Sequence, residues 1–158
     1  MKTGKAKTYA FWIVLTELVG AAAGLLSRKG IELYRTAVIK PAFSPPAILF
    51  PVVWTILYLL MGVAAARISL HGSGDRRSKA LRLYLAQLGV NFLWPLIFFN
   101  LQAFGPAFLW LVLLWVLIVR MLLSFREIDR TAAALLLPYL LWVGFAGYLN
   151  LGVWLLNR

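Results

Sequence analysis

The sequence has no cysteine, one histidine and only five acidic residues among 158. Without cysteine there is no disulfide and no thiolate metal site, and nothing in cysteine usage reports the redox compartment. Histidine is confined to His71, in a stretch read as a loop. No nucleophile–base pair, metal-ligating cluster or phosphate-binding loop is present to support ordinary catalysis. Charged residues make up 13% of the chain, against about a quarter in soluble domains.

What fills the chain is apolar. The AVILMFWYC set reaches 63% and aromatics 15%, with mean hydropathy +0.85. A globule of this size has too large a surface-to-volume ratio to hide that much apolar area from water. A bilayer accepts it. A helical span needs roughly 20 apolar residues, and five segments qualify: 9–26, 47–68, 81–101, 104–125 and 131–156. Backbone groups in lipid must be paired internally, which leaves helices or closed barrels. The runs lack the alternation of barrel strands. The expectation is an all-α integral membrane protein, one domain over residues 1–158, built as a five-transmembrane-helix bundle. The N-terminal stretch resembles a signal peptide, but its apolar run is of span length and Ser27-Arg28-Lys29 offers no clean cleavage site, so it reads as a retained first helix.

Net charge is +11, yet Lys and Arg sit in clusters between apolar runs, not along a polar face. That pattern sets topology and argues against nucleic acid as a partner. With the N-terminus on one side, that side carries Lys2, Lys5, Lys7, Arg67, Arg76, Arg77, Lys79, Arg82, Arg120, Arg126 and Arg130. The other carries Arg28, Lys29, Arg35, Lys40 and Arg158. Eleven against five predicts the N-terminus inside and the C-terminus outside in a bacterial cytoplasmic membrane. The long basic first loop then faces outward. No internal repeat is evident, and an odd span number argues against a duplicated transporter.

Three blocks carry a family resemblance. The first runs Lys40-Pro41-Ala42-Phe43-Ser44-Pro45-Pro46 through Trp54, Tyr58, Met61 and Gly62. The second is Gln87-Leu88-Gly89-Val90-Asn91-Phe92-Leu93-Trp94-Pro95-Leu96-Ile97-Phe98-Phe99. The third is Leu137-Pro138-Tyr139-Leu140-Leu141-Trp142-Val143-Gly144-Phe145-Ala146-Gly147-Tyr148-Leu149-Asn150. In their order and spacing they resemble the TspO/translocator protein family, and together they cover almost the whole chain. The resemblance implies a membrane receptor or sensor, often a homodimer, that binds tetrapyrroles and other flat apolar small molecules in an interhelical pocket opening toward the first loop. A transporter of tetrapyrroles or lipids, or a protein degrading porphyrin under light, are the alternative readings.

Seven tryptophans are present. Trp12, Trp110, Trp115 and Trp154 read as an interfacial aromatic belt. Trp54, Trp94 and Trp142 lie in the motif blocks with companions at helical spacing: Trp54 with Tyr58, Asn91 with Trp94 and Phe98, Tyr139 with Trp142 and Ala146. Such stripes serve either as packing core or as walls of a slot, and a planar macrocycle suits indole and phenol rings. Asn91, polar and mid-span, must bond across helices or to a ligand. Tyr34, Lys40 and Phe43 of the first loop are candidate lid residues, its cations facing porphyrin propionates. Phe43 stands where many family members carry Trp. No cofactor is obligatory. With no core His or Cys for axial ligation, the expected ligand is metal-free porphyrin, or haem held by stacking. Glu17 is the one acid within a span, a functional suspect or a paired group. Gly20 and Gly24 form a GxxxG, suited to close helix contact within or between subunits. The sterol-binding pattern fails, because no basic residue follows Tyr148 until Arg158.

Overall fold

A computed structural model describes residues 2–158. Met1 and the side chain of Lys2, at the start of the basic N-terminal run, lie outside the described residues. The chain is all-helical: α1 (Lys2–Leu26), α2 (Arg28–Ala37), α3 (Leu49–His71), α4 (Gly74–Pro95) followed by a π-helical turn (Leu96–Asn100), α5 (Phe104–Arg126), α6 (Arg130–Leu135) and α7 (Leu137–Leu156). Five helical stretches are long and apolar enough to cross a membrane, the third including the π-helical turn and the fifth comprising α6 and α7.

The expected spans are present with shifted ends. The first helix begins at Lys2, not residue 9, and the third at Gly74, not 81. Polar residues there extend the helices beyond their apolar stretch, because helix propensity does not stop where lipid does. The turn expected over 69–79 shrinks to Gly72 and Ser73, and Asp75 in the first turn of α4 complements the helix dipole. α3 begins at Leu49, two residues later than expected, since Pro45 and Pro46 precede a turn closed by Leu49 N–H donating to the Pro46 carbonyl at 3.0 Å. The first loop, expected as irregular, contains α2.

Proline marks two interruptions. After Pro95 the ladder loosens into π geometry, with Leu101 N–H reaching the Leu96 carbonyl and Ala103 N–H the Ile97 carbonyl, both at 3.1 Å. Pro138 has no N–H and its ring crowds the carbonyl of Ala134. The fifth span accordingly breaks at Leu136, whose N–H tightens onto the Ala133 carbonyl at 3.0 Å before α7 resumes.

α1 packs along α3, α4 along α5 and α5 along α7, with α6 against both α3 and α5. Gly62 makes the first contact close: a Cβ there would lie 2.6 Å from the Cα of Ile13. Gly20 lies under the ring of Tyr58, whereas a Cβ on Gly24 would meet nothing within 4 Å. The GxxxG therefore splits, one glycine used inside the subunit and one open. Two tryptophans assigned to the belt face inward instead. Trp12 is 8% exposed, edge-on to Tyr84 with ring centres 5.5 Å apart, and its Nε1 donates to Ser69 Oγ at 3.2 Å. Trp110 Nε1 donates to the Val90 carbonyl of α4 at 2.8 Å. Both indoles donate to a partner on another helix.

On the N-terminal side Asp129 fastens α6 to the end of α3. Its Oδ1 caps α6 by accepting from Thr131 and Ala132 N–H, and its Oδ2 accepts from Arg67 Nε and contacts His71 Nδ1, each at 2.8 Å. On the opposite side the segment after α2 crosses the end of α7. Asn157 accepts from Ile39 N–H at 3.0 Å and donates to the Ile39 carbonyl at 2.8 Å, Tyr148 hydroxyl donates to the Ala42 carbonyl at 2.8 Å, and Pro41 rests on Gly152.

Candidate ligand site

The site is assembled from one stripe each of α3, α4 and α7. On α3, Trp54 and Tyr58 sit one turn apart with ring centres 5.4 Å apart and planes tilted 30°. From α7, Tyr139 meets Trp54 nearly edge-on at 6.2 Å. Between them α4 presents Asn91. Its Oδ1 accepts from Tyr58 hydroxyl at 2.8 Å and its Nδ2 donates to Tyr139 oxygen at 2.7 Å. Tyr139 hydroxyl donates onward to Gln87 Oε1 at 2.7 Å. Asn91 thus bonds across helices, joining α3, α4 and α7 in a directed chain. Buried polar groups of this kind are costly when unpaired. The chain satisfies all of them except Gln87 Nε2, which is buried with no partner among the described residues.

Trp142, one turn along α7 from Tyr139, is partly buried against the core. Its ring lies between Phe50 at 5.9 Å and Phe145 at 5.6 Å, and its Nε1 is buried without a partner among the described residues. It borders an apolar groove of about 550 Å³ between α3 and α7, walled by Val53, Leu57, Leu60, Pro138 and Phe145. Ile56 and Leu141, at the mouth, are 52% and 73% exposed, so the groove opens sideways onto the apolar flank.

Trp94 and Phe98 form a second aromatic group, stacked at 5.1 Å and 25°. Tyr34 of α2 joins it, 5.5 Å from Phe98, and burial pushes its phenol pKa up. Trp94 Nε1 donates to Asn150 Oδ1 at 3.1 Å, and Asn150 donates to the Phe104 carbonyl at 2.8 Å. Ala146 is buried. The structure therefore brings Trp54, Tyr58, Asn91 and Tyr139 into one group, and Tyr34, Trp94 and Phe98 into a neighbouring one. Trp142 lines the lateral groove.

Phe43 stands apart, 87% exposed with φ 62°, at the outward tip of the segment that crosses α7. Lys40 is turned back: its ammonium donates to the carbonyls of Arg35 at 3.2 Å and Val38 at 3.3 Å, and lies 5.0 Å from the centre of the Tyr34 ring. Glu17 is half-buried on α1. Gln87 and Asn150 were not singled out from the sequence. Gln87 precedes Asn91 by one turn on the same stripe, which marks it in the sequence. Asn150 pairs with a tryptophan 56 positions away, which spacing on one helix does not reveal.

Among the described residues no group of three or more His, Asp or Glu side chains is placed to hold a metal ion. The polar groups in the site are amides, phenols and indoles. Such a set can meet a flat apolar molecule by ring contact; Gln87 Nε2 and Trp142 Nε1 are buried donors without a partner among the described residues.

Comparison with known proteins agrees with this architecture. The model of the TspO/MBR family matches residues 12–155. The chain is 39% identical over 153 residues to the tryptophan-rich protein TspO of Chlorobaculum tepidum, covering 95% of this chain and 96% of that one. It is 35% identical over 150 residues to protein CrtK of Rhodobacter capsulatus, covering 94% and 92%. It is 35% identical over 121 residues to the translocator protein of Ovis aries, covering 75% and 72%.

Proposed function

The chain belongs to the TspO/MBR family of integral membrane proteins, and from that premise we propose that it is a membrane sensor holding a tetrapyrrole, or a similar flat apolar ligand, in the groove between α3 and α7. The observation that carries the reading is the joining of Trp54, Tyr58, Asn91 and Tyr139 into one hydrogen-bonded aromatic wall, beside an apolar groove bordered by Trp142. The ligand enters from the bilayer through that groove and spreads against the indoles. Porphyrin needs no axial ligand here; ring contact holds it. The protein sits in a bacterial cytoplasmic membrane with its N-terminus inside, following the charge bias, and works as a homodimer.

The test is binding of protoporphyrin to the purified protein, read from the shift of the porphyrin absorption band. Saturable binding is expected. Two ring contacts at about 1 kcal/mol each predict that Trp54→Ala combined with Trp142→Ala weakens it by roughly tenfold or more. Unchanged affinity in that variant would overturn the assignment of these rings.

A further inference from the structure

Three of the four cations in the segment expected to face propionates lie elsewhere. Arg28, Lys29 and Arg35 border a groove of about 1040 Å³ between the end of α1 and α2, with Leu25, Leu26 and Phe99 among its apolar walls. Tyr34 is not one of its walls, although Phe99, which is, backs onto the aromatic group, with ring centres 5.3 Å from Tyr34 and 4.8 Å from Phe98.

The elbow that makes this groove is fixed. α1 turns into α2 at Ser27, with Ser27 N–H still bonded to the Ala23 carbonyl at 3.1 Å. Gly30 presses α2 onto the π-helical turn: a Cβ there would come within 2.5 Å of the Phe99 carbonyl. Asn100 Nδ2 donates to the Leu26 carbonyl at 2.9 Å, tying that turn to the end of α1. The groove is thus preformed, with α2 pinned from both sides.

Its chemistry has two halves. Leu25 and Leu26 are 64% and 57% exposed and continue the apolar flank of α1. Directly beyond them, where the apolar span ends, stand the three cations. Arg28 and Lys29 have no side-chain hydrogen bond or ion pair among the described residues, and Arg35 makes only an exposed 3.5 Å pair with Glu32. Three positive charges against one negative leave a net charge of +2 on the lining. A hydrated soluble anion gains nothing from the leucine floor. A molecule with an anionic head and an apolar chain satisfies both halves at the depth where a bilayer presents them.

We propose that this groove seats an anionic phospholipid, its phosphate against Arg28, Lys29 and Arg35 and its acyl chain along Leu25 and Leu26. The site is separate from the aromatic wall and does not depend on what that wall binds.

The experiment uses the full chain in nanodiscs of equal phosphatidylglycerol and phosphatidylcholine, with lipid retained on the protein measured by native mass spectrometry. Phosphatidylglycerol is retained selectively by the parent. The variant Arg28→Gln, Lys29→Gln, Arg35→Gln loses that selectivity on the order of tenfold. Arg28→Lys with Arg35→Lys keeps most of it, and the control Arg76→Gln, Arg77→Gln, Lys79→Gln keeps all of it. Melting temperatures of all forms establish that each is folded. Equal loss in the control overturns the proposal, since net charge alone then decides. Displacement of the lipid by glycerol phosphate at matched concentration overturns it by showing a site for free phosphate. Displacement by protoporphyrin overturns it by returning the groove to the aromatic site.

Discussion

Asn91 carries more than its size suggests, because its two amide atoms serve phenols from two different helices. Replacing it with Leu keeps the number and branching of side-chain heavy atoms but leaves Tyr58 hydroxyl without its acceptor and Tyr139 oxygen without its donor. The expected loss is about 1–2 kcal/mol, the range for buried side-chain hydrogen bonds within a membrane bundle. It is measured as a lowered thermal midpoint in detergent. Tyr58→Phe removes one bond from the same chain and should cost less than Asn91→Leu. A variant as stable as the parent would mean that the chain contributes nothing net. The amide is legible in the sequence as a residue needing a partner. That its partners are Tyr58 and Tyr139, 33 and 48 positions away, follows only once three helices are laid side by side.

Among elements, the contact of α1 with α3 is governed by where a side chain is missing. At Gly62 the neighbour is the backbone of Ile13, which cannot swing aside, so Gly62→Ala must push two helices apart. The expected cost is about 1–3 kcal/mol, seen as a fall in melting temperature. Gly24→Ala, with open space where its methyl group would go, should leave melting unchanged or slightly raised. Equal effects at the two positions would contradict the packing described. The helices themselves are legible because apolar runs of span length admit few other solutions in lipid. Their polar extensions at Lys2 and Gly74 are not, because a hydropathy pattern marks the edge of the lipid and not the end of the backbone ladder. The π-helical turn and the break at Leu136 trace to Pro95 and Pro138. Proline announces a disturbance, but the tertiary neighbours decide its form. For the same reason the belt reading fails at Trp12 and Trp110: indole at an interface and indole bonded to a neighbouring helix look alike in one dimension.

For the whole molecule, Asp129 joins the end of α3 to the turn between α5 and α6. Burial alone pushes its carboxyl pKa up, but hydrogen bonds from Arg67, His71 and the Ala132 and Thr131 amides outweigh burial and hold it at about 2, below its ordinary 3.8. A carboxylate whose folded pKa is depressed contributes stability above the unfolded value and loses it as pH falls through the folded one. The contribution is therefore complete above about pH 4 and gone below about pH 2, worth on the order of 1 kcal/mol after solvent screening. Asp129→Asn retains a cap for α6, since Asn is as good an N-cap as Asp, but removes the charge facing Arg67. Melting followed from pH 6 to pH 2 should fall more steeply for the parent than for this variant. Parallel curves would show that Asp129 is not the group titrating. Of the ligand wall, the sequence marks the residues but not their division. Tyr34, Trp94 and Phe98 separate from Trp54, Tyr58 and Tyr139 because α2 folds back onto the π-helical turn, and Phe43 turns outward because Pro41 and Ala42 are held against α7.

The clasp between Ile39 and Asn157 spans 118 positions of chain. During synthesis the early half of that clasp waits, unfastened, while every later helix is made and inserted. The crossing segment gains its anchors only as α7 and the residue after it arrive, at Tyr148, Gly152 and Asn157 in turn. Sealing of this end of the bundle consequently waits on the fifth span.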